Sequence, residues 1–87
     1  MANQSNPRVR QIVLEVVENR LRDGEPPETA ATLDRLMKEG HTRKAAVELI
    51  SAVVGAEIHD VMSTKKPFDI ARYVGRLKQL PDLSWLK

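Results

Sequence analysis

TRKAAVELISAVVGAEIHDVMS, residues 42–63, is the stretch of this sequence that decides the fold. Its apolar residues recur at spacings of three and four, which is typical of one face of an α-helix. The residues on that face are Ala46, Leu49, Ile50, Val53, Val54, Ile58 and Val61. Thr42 can cap the helix, which would be roughly 30 Å long, about the diameter of a small domain. We therefore predict a long central helix over 43–63.

Two helices are predicted before this segment. Asn6-Pro7 is typical of a helix start and Asp23-Gly24 of a helix end, so the first helix should cover 7–22. Its apolar residues at helical spacing are Val9, Ile12, Val13, Val16, Val17 and Leu21. A second helix over 27–39 should end before the turn glycine and carry an apolar face into the core. That face consists of Leu33, Leu36 and Met37, and the glycine is Gly40.

A fourth helix is predicted over 70–80. Asp69 can cap its first turn, and Pro81 ends it. Phe68 and Tyr73 stand at the positions before the cap and at the end of the first turn, where two apolar side chains can pair as a hydrophobic staple. The loop and the last helix should therefore be joined by an aromatic contact.

The length of 87 residues allows one small domain. We predict an all-α fold, a compact four-helix bundle, in which 1–87 form a single helical domain. Residues 1–6 would be a flexible N-terminus, and 81–87, which include Trp85 and Leu86, a tail packed back on the helices. The chain has no cysteine, which excludes disulfides, thiolate metal sites and thiol nucleophiles.

Charge and hydropathy indicate the compartment. The 14 basic and 12 acidic side chains are spread along the chain and give a net charge of +2, so neither end is strongly polarised. No apolar run resembles a signal peptide or reaches the ~18 residues of a membrane span. We expect a cytoplasmic protein with no membrane partner.

Three titratable side chains interrupt the apolar run of the central helix: Glu57, His59 and Asp60. A helical wheel puts Glu57 near the centre of the apolar face, Asp60 at its edge and His59 on the opposite side. A buried carboxylate needs a paired partner, and we predict Arg20 or the Tyr73 hydroxyl. The candidate buried polar residues are Glu57, Arg20, Tyr73 and Asp60.

The same residues do not predict a metal centre or a catalytic site. Di-iron bundles place Glu-x-x-His pairs on inward faces, whereas Glu57 and His59 project to opposite faces. No Gly-x-Ser-x-Gly elbow is present to supply a serine nucleophile. We therefore predict no catalytic residue, no metal and no cofactor.

The stretch LDRLMKEGHTRKAAVELI, residues 33–50, suggests a helix-turn-helix and hence a nucleic-acid partner. Its candidate contacts, with those of the last helix, are Arg43, Lys44, Arg72, Arg76 and Lys78. A recognition helix needs a polar face that reads base edges, whereas the central helix is strongly apolar. Nucleic-acid binding is therefore the weaker prediction.

Residues 18–81 resemble a small all-helical bacterial protein family of uncharacterised function. The matching positions are Arg35-Leu36, Gly40, Ala46, Glu57-Ile58, Pro67-Phe68-Asp69, Tyr73 and Leu80-Pro81. The resemblance implies a helical fold and brings no activity with it.

Three function classes follow from these patterns. We predict a non-enzymatic protein-interaction or oligomerisation module, with a protein partner or self-association. The alternative is a nucleic-acid-associated regulator that uses segment 33–50. A third, weaker alternative is a ligand binder or enzyme built around Glu57, with Asp60 and Tyr73.

Overall fold

A computed structural model describes residues 7–86 of the chain, which fold into four helices and no strand. The helices are α1 (Pro7–Asp23), α2 (Pro27–Lys38), α3 (Arg43–Thr64) and α4 (Ile70–Gln79). Each begins at its predicted residue and ends within one residue of the prediction, so the all-α four-helix bundle is confirmed. The predicted flexible segment 1–6 and the cap residue Asn6 lie outside the described residues.

The helix ends form where the sequence provides caps. The Thr42 hydroxyl accepts a hydrogen bond from the Ala45 amide at 3.1 Å, and the Asp69 carboxylate accepts one from the Arg72 amide at 3.1 Å. Gly40 ends α2 with a φ of +107°, a conformation that disfavours any residue with a side chain. These local signals therefore set the end of α2 and the starts of α3 and α4.

The core lies where α3 packs against the other three helices. It is almost entirely aliphatic, with one aromatic side chain. Its buried apolar residues are Val13, Val17, Leu36, Ala46, Val47, Ile50, Val53, Val54, Tyr73, Leu77 and Leu80. Because α3 supplies five of these residues, the prediction that it is the central helix is confirmed.

Met37, which was predicted to face the core, is exposed, and so are Val9 and Ile12 of the apolar pattern of α1. On α1 the buried stripe runs through Val13 and Val17 only. Helical periodicity identifies the apolar face, but it does not tell how far along that face neighbouring helices extend. The predicted inward position of Met37 is therefore wrong.

The predicted packed tail is described over residues 81–86 and packs on the bundle in part, because Leu86 is exposed. Leu80 is buried, and Leu83 and Trp85 pack against the core. The Trp85 indole nitrogen donates to the Asp82 carbonyl at 3.0 Å, and the Arg76 guanidinium lies 4.9 Å from the centre of the Trp85 ring. This contact joins the tail to α4.

Arg35 connects α2 to the end of α4. Its Nη2 donates to the carbonyl oxygens of Leu77 at 3.2 Å and Leu80 at 3.0 Å, and its Nη1 donates to Glu39 at 3.0 Å. The last carbonyls of a helix have no partner within it, so a cation here satisfies them and offsets their negative partial charge. None of the helices within 7–86 is long and apolar enough to cross a membrane.

Candidate functional site

Glu57 is a buried carboxylate on α3, with 1% of its surface exposed. Its Oε2 accepts a hydrogen bond from Arg76 Nη1 at 3.0 Å, and Arg72 Nε lies 3.6 Å from the same oxygen. Both arginines belong to α4. A buried charge therefore finds its counter-charges on the neighbouring helix, as its burial requires.

Asp60, one turn further along α3, shares these partners. Its Oδ2 accepts from Arg76 Nη1 at 2.9 Å and lies 3.7 Å from Arg72 Nη2. The hydrogen bond from Arg76, followed by the positive charges of Arg76 and Arg72, holds the pKa of Asp60 below its ordinary value. We call these four residues, Glu57, Asp60, Arg72 and Arg76, the acid–arginine cluster.

The predicted partners of Glu57 were wrong. The Tyr73 hydroxyl is buried and hydrogen-bonds to the Thr29 hydroxyl at 2.7 Å. The Arg20 guanidinium lies over two rings, 5.1 Å from the centre of Phe68 and 4.8 Å from that of Tyr73. The sequence did contain a signal for the observed pairing. The two acids are three residues apart on α3 and the two arginines are four apart on α4, and residues at these spacings share a helix face.

The predicted staple exists and holds Phe68 in place. The ring centres of Phe68 and Tyr73 are 5.7 Å apart at an interplanar angle of 52°, a tilted aromatic pair. Because Arg20 lies against the same two rings, Phe68 is supported by contacts from both α1 and α4.

Two polar atoms at this end of the bundle have no hydrogen-bond partner among the described residues. They are Arg20 Nη1 and Glu57 Oε1, and both atoms are buried. Both residues line a cavity of about 160 Å³. We call it the Arg20 cavity; its remaining walls are Val54, Ile58, Val61, Met62 and Phe68.

A wider and more open concavity adjoins this cavity. It has a volume of about 460 Å³, and we call it the Phe68 groove. Its walls are Arg20, Glu25, Pro26, Pro27, Phe68 and Ile70. Arg20 and Phe68 line both concavities, so the groove and the cavity are neighbours on the protein.

No known protein family, curated protein or solved structure matches this chain. The resemblance to a bacterial helical family therefore stays a prediction.

The five candidate nucleic-acid contacts lie in different surroundings. Arg43 donates to both carboxylate oxygens of Glu18, at 3.1 and 3.3 Å. This hydrogen bonding, followed by the negative charge of Glu18, raises the pKa of Arg43 above its ordinary value. Arg72 and Arg76 belong to the acid–arginine cluster, whereas Lys44 and Lys78 are exposed. Three of the five positive charges are thus neutralised by carboxylates of the same chain.

His59 faces solvent, with its Nδ1 3.8 Å from Asp60 Oδ1. Within residues 7–86, no group of three or more His, Asp or Glu side chains lies in a position to hold a metal ion. The site therefore combines an apolar surface with one buried donor, on Arg20, and one buried acceptor, on Glu57.

Proposed function

We propose that this protein is a protein-interaction module that binds a partner polypeptide through the Phe68 groove and the adjoining Arg20 cavity. One observation carries the proposal: the two concavities share Phe68 and Arg20, and exposed apolar side chains surround them. Those side chains are Met62, Phe68 and Ile70. A cytoplasmic location is part of the proposal and rests on the sequence alone.

The composition of this surface supports binding to a polypeptide. Concave apolar surfaces with a few convergent polar groups are the usual form of a binding site. Aromatic residues and arginine supply much of the binding energy at protein interfaces, and Phe68 and Arg20 are of these types. Large apolar side chains that stay exposed at a groove indicate a surface that a partner covers.

The fixed position of Phe68 also favours binding. The ring contacts both the Tyr73 ring and the Arg20 guanidinium. The loop that carries it has both ends secured, because the acid–arginine cluster joins α3 to α4 and Asp69 caps the first turn of α4. A side chain that is ordered before binding loses less conformational entropy when the partner arrives.

Nucleic-acid binding has less support. Segment 33–50 covers the end of α2, the Gly40 turn and the start of α3. Arg43, Arg72 and Arg76, three of its candidate contacts with the last helix, already pair with carboxylates. Binding to phosphates would have to displace those pairs. Retention on heparin that disappears at moderate salt would favour the nucleic-acid alternative.

The proposal can be tested by selecting peptides from a random library displayed on phage. We expect enriched peptides whose affinity falls about tenfold or more in Phe68→Ala, because truncating an interface anchor costs about 1–2 kcal/mol or more. Ile70→Ala should also weaken binding. Ile12→Ala is the matched control, since Ile12 and Ile70 are exposed to 50% and 49% and only Ile70 lines the groove.

The selection has a clear contrary result. If no peptide is enriched, or if the enriched peptides bind Phe68→Ala as tightly as the unmodified protein, the groove is not the docking surface. Static light scattering over a range of concentrations completes the test. If the average molar mass of the unmodified protein doubles as its concentration rises, and that of Phe68→Ala does not, the partner is a second copy of the chain.

A further inference from the structure

Two residues that line the Arg20 cavity, Arg20 and Glu57, each carry one buried polar atom, and the two atoms have opposite hydrogen-bonding requirements. Arg20 Nη1 can only donate hydrogen bonds, and the ionised Glu57 Oε1 can only accept them. Neither has a partner among the described residues, and both residues line the cavity. A buried polar group without a partner costs free energy, so a ligand that satisfies both atoms would gain from each.

The contacts of the two side chains keep them from satisfying each other. The Arg20 guanidinium is held over the rings of Phe68 and Tyr73. The other oxygen of Glu57 is fixed by Arg76. Turning either group toward the other would give up one of these contacts.

A single ligand group that satisfies both atoms has to accept a hydrogen bond from Arg20 and donate one to Glu57. A carboxamide does so, since its oxygen can accept from Arg20 and its NH₂ can donate to Glu57. A carboxylate would bring a second negative charge to Glu57, and an ammonium would bring a second positive charge to Arg20. Each of these would leave one of the two atoms unpaired.

The size and walls of the cavity suit such a group. Its volume of about 160 Å³ is well above the roughly 10–15 Å³ that one water molecule needs. The walls are apolar and would cover the methylene groups next to the amide. Met62 lines the cavity and is 72% exposed, and its unbranched side chain can move aside as a ligand enters.

We infer that the Arg20 cavity is a carboxamide-reading pocket, in which the partner segment inserts an asparagine or glutamine side chain next to an apolar residue that fills the Phe68 groove. This inference rests on the proposed function and names the chemistry of its partner. The apolar residue supplies the attraction, and the amide supplies specificity, because buried polar groups reject a ligand that leaves them unpaired.

The peptides selected from the phage library provide the first test. We expect asparagine or glutamine to be enriched at one position beside an apolar residue. If the enriched residue is glutamine, replacing it with glutamate in a synthetic peptide should weaken binding about tenfold or more, and the same holds for asparagine and aspartate. Enrichment of aspartate or glutamate, or equal binding of both peptides, would overturn the inference and leave the docking surface in place.

Substitution of the donor is the second test. Arg20→Lys keeps the charge but loses the planar fork of donors, and it should reduce the preference for the glutamine peptide over the glutamate peptide. Arg22→Lys is the matched control, because Arg22 lies on the same helix with its side chain 71% exposed. An undiminished preference in Arg20→Lys would contradict the assigned role of Arg20.

A third measurement needs no partner and no variant. Butyramide, butyrate and n-butylammonium can be titrated into the unmodified protein while the Met62 methyl and Arg20 Nε–H signals are followed by NMR. We expect saturable shifts for butyramide and weaker, non-saturating ones for the two ions. Equal responses to all three compounds would show that the pocket does not recognise the amide and that water hydrogen-bonds to the two atoms instead.

These outcomes separate the inference from the proposed function. A library that yields no binder through Phe68 counts against the proposed function itself. Binders through Phe68 that show no amide preference count against the carboxamide pocket alone.

Discussion

Arg76 Nη1 donates to Glu57 Oε2 at 3.0 Å, and the same nitrogen donates to Asp60 at 2.9 Å. One guanidinium of α4 therefore holds two carboxylates from successive turns of α3. Arg72, one turn earlier on α4, adds a second positive charge near both carboxylates. The cluster balances its own charge and fixes the helix pair that positions the Phe68 loop.

Glu57→Gln should lower the free energy of unfolding by about 1–3 kcal/mol, because it removes a buried charge and leaves the arginines with Asp60 alone. Urea denaturation measures the change. Glu48→Gln is the control: Glu48 pairs with Arg10 at the exposed surface, and such a pair contributes about 0–1 kcal/mol. If the two substitutions lower the free energy of unfolding equally, the buried pair contributes no more to stability than the exposed one.

The contribution of Asp60 to stability should depend on pH. The hydrogen bond from Arg76 lowers the pKa of Asp60 in the folded state. The stabilisation is therefore present above the pKa of the unfolded chain, about 3.9, and is lost as pH falls through the lower folded pKa. The difference between the urea unfolding midpoints of the unmodified protein and of Asp60→Asn should be constant near neutral pH and should shrink below about pH 4. A gap that stays unchanged into acid would contradict this.

The buried hydroxyl pair of Tyr73 and Thr29 should show strong coupling. Tyr73→Phe leaves the Thr29 hydroxyl without its partner and should cost about 1–2 kcal/mol, and Thr29→Val should cost a similar amount. The double variant should cost clearly less than the sum, since replacing both polar partners removes the unpaired group. Thermal unfolding of the four proteins gives the coupling energy, and simple additivity would exclude a stabilising hydrogen bond.

The sequence predicted the helices well, because their boundaries depend on neighbours in the chain. Thr42, Gly40 and Asp69 each act within four residues of their own position, so their effect on a helix end can be inferred locally. The staple of Phe68 and Tyr73 is also local. Each of these features depends on residues close in the sequence and not on the packing of the other helices.

The partners in the candidate site could not be predicted in the same way. A helical wheel identified Glu57 as the acid on the apolar face, but Arg76 is 19 residues away and on another helix. The wheel shows which face a residue occupies and not which side chain of the next helix it meets. Arg20 was also placed toward the core, and aromatic rings rather than a carboxylate surround it.

Arg35 was not identified from the sequence as a structural residue, and its role gives the last prediction. Its Nη2 donates to two carbonyls at the end of α4, Leu77 and Leu80, where the chain turns into the tail. Lysine offers a compact charge without the planar fork that reaches both carbonyls and Glu39 together. Arg35→Lys should therefore lower the free energy of unfolding by about 1–2 kcal/mol.

Trp85 provides a local measurement of the same substitution, because it is the single tryptophan and packs in the tail that follows Leu80. In Arg35→Lys its fluorescence should shift toward that of a solvent-exposed indole at urea concentrations below the main unfolding transition. Arg22→Lys, at an exposed position on α1, should show one transition for both tail and helices. If Arg35→Lys also shows a single transition at the control's midpoint, the hydrogen bonds from Arg35 do not hold the tail, and Leu80 burial and the Arg76–Trp85 contact suffice.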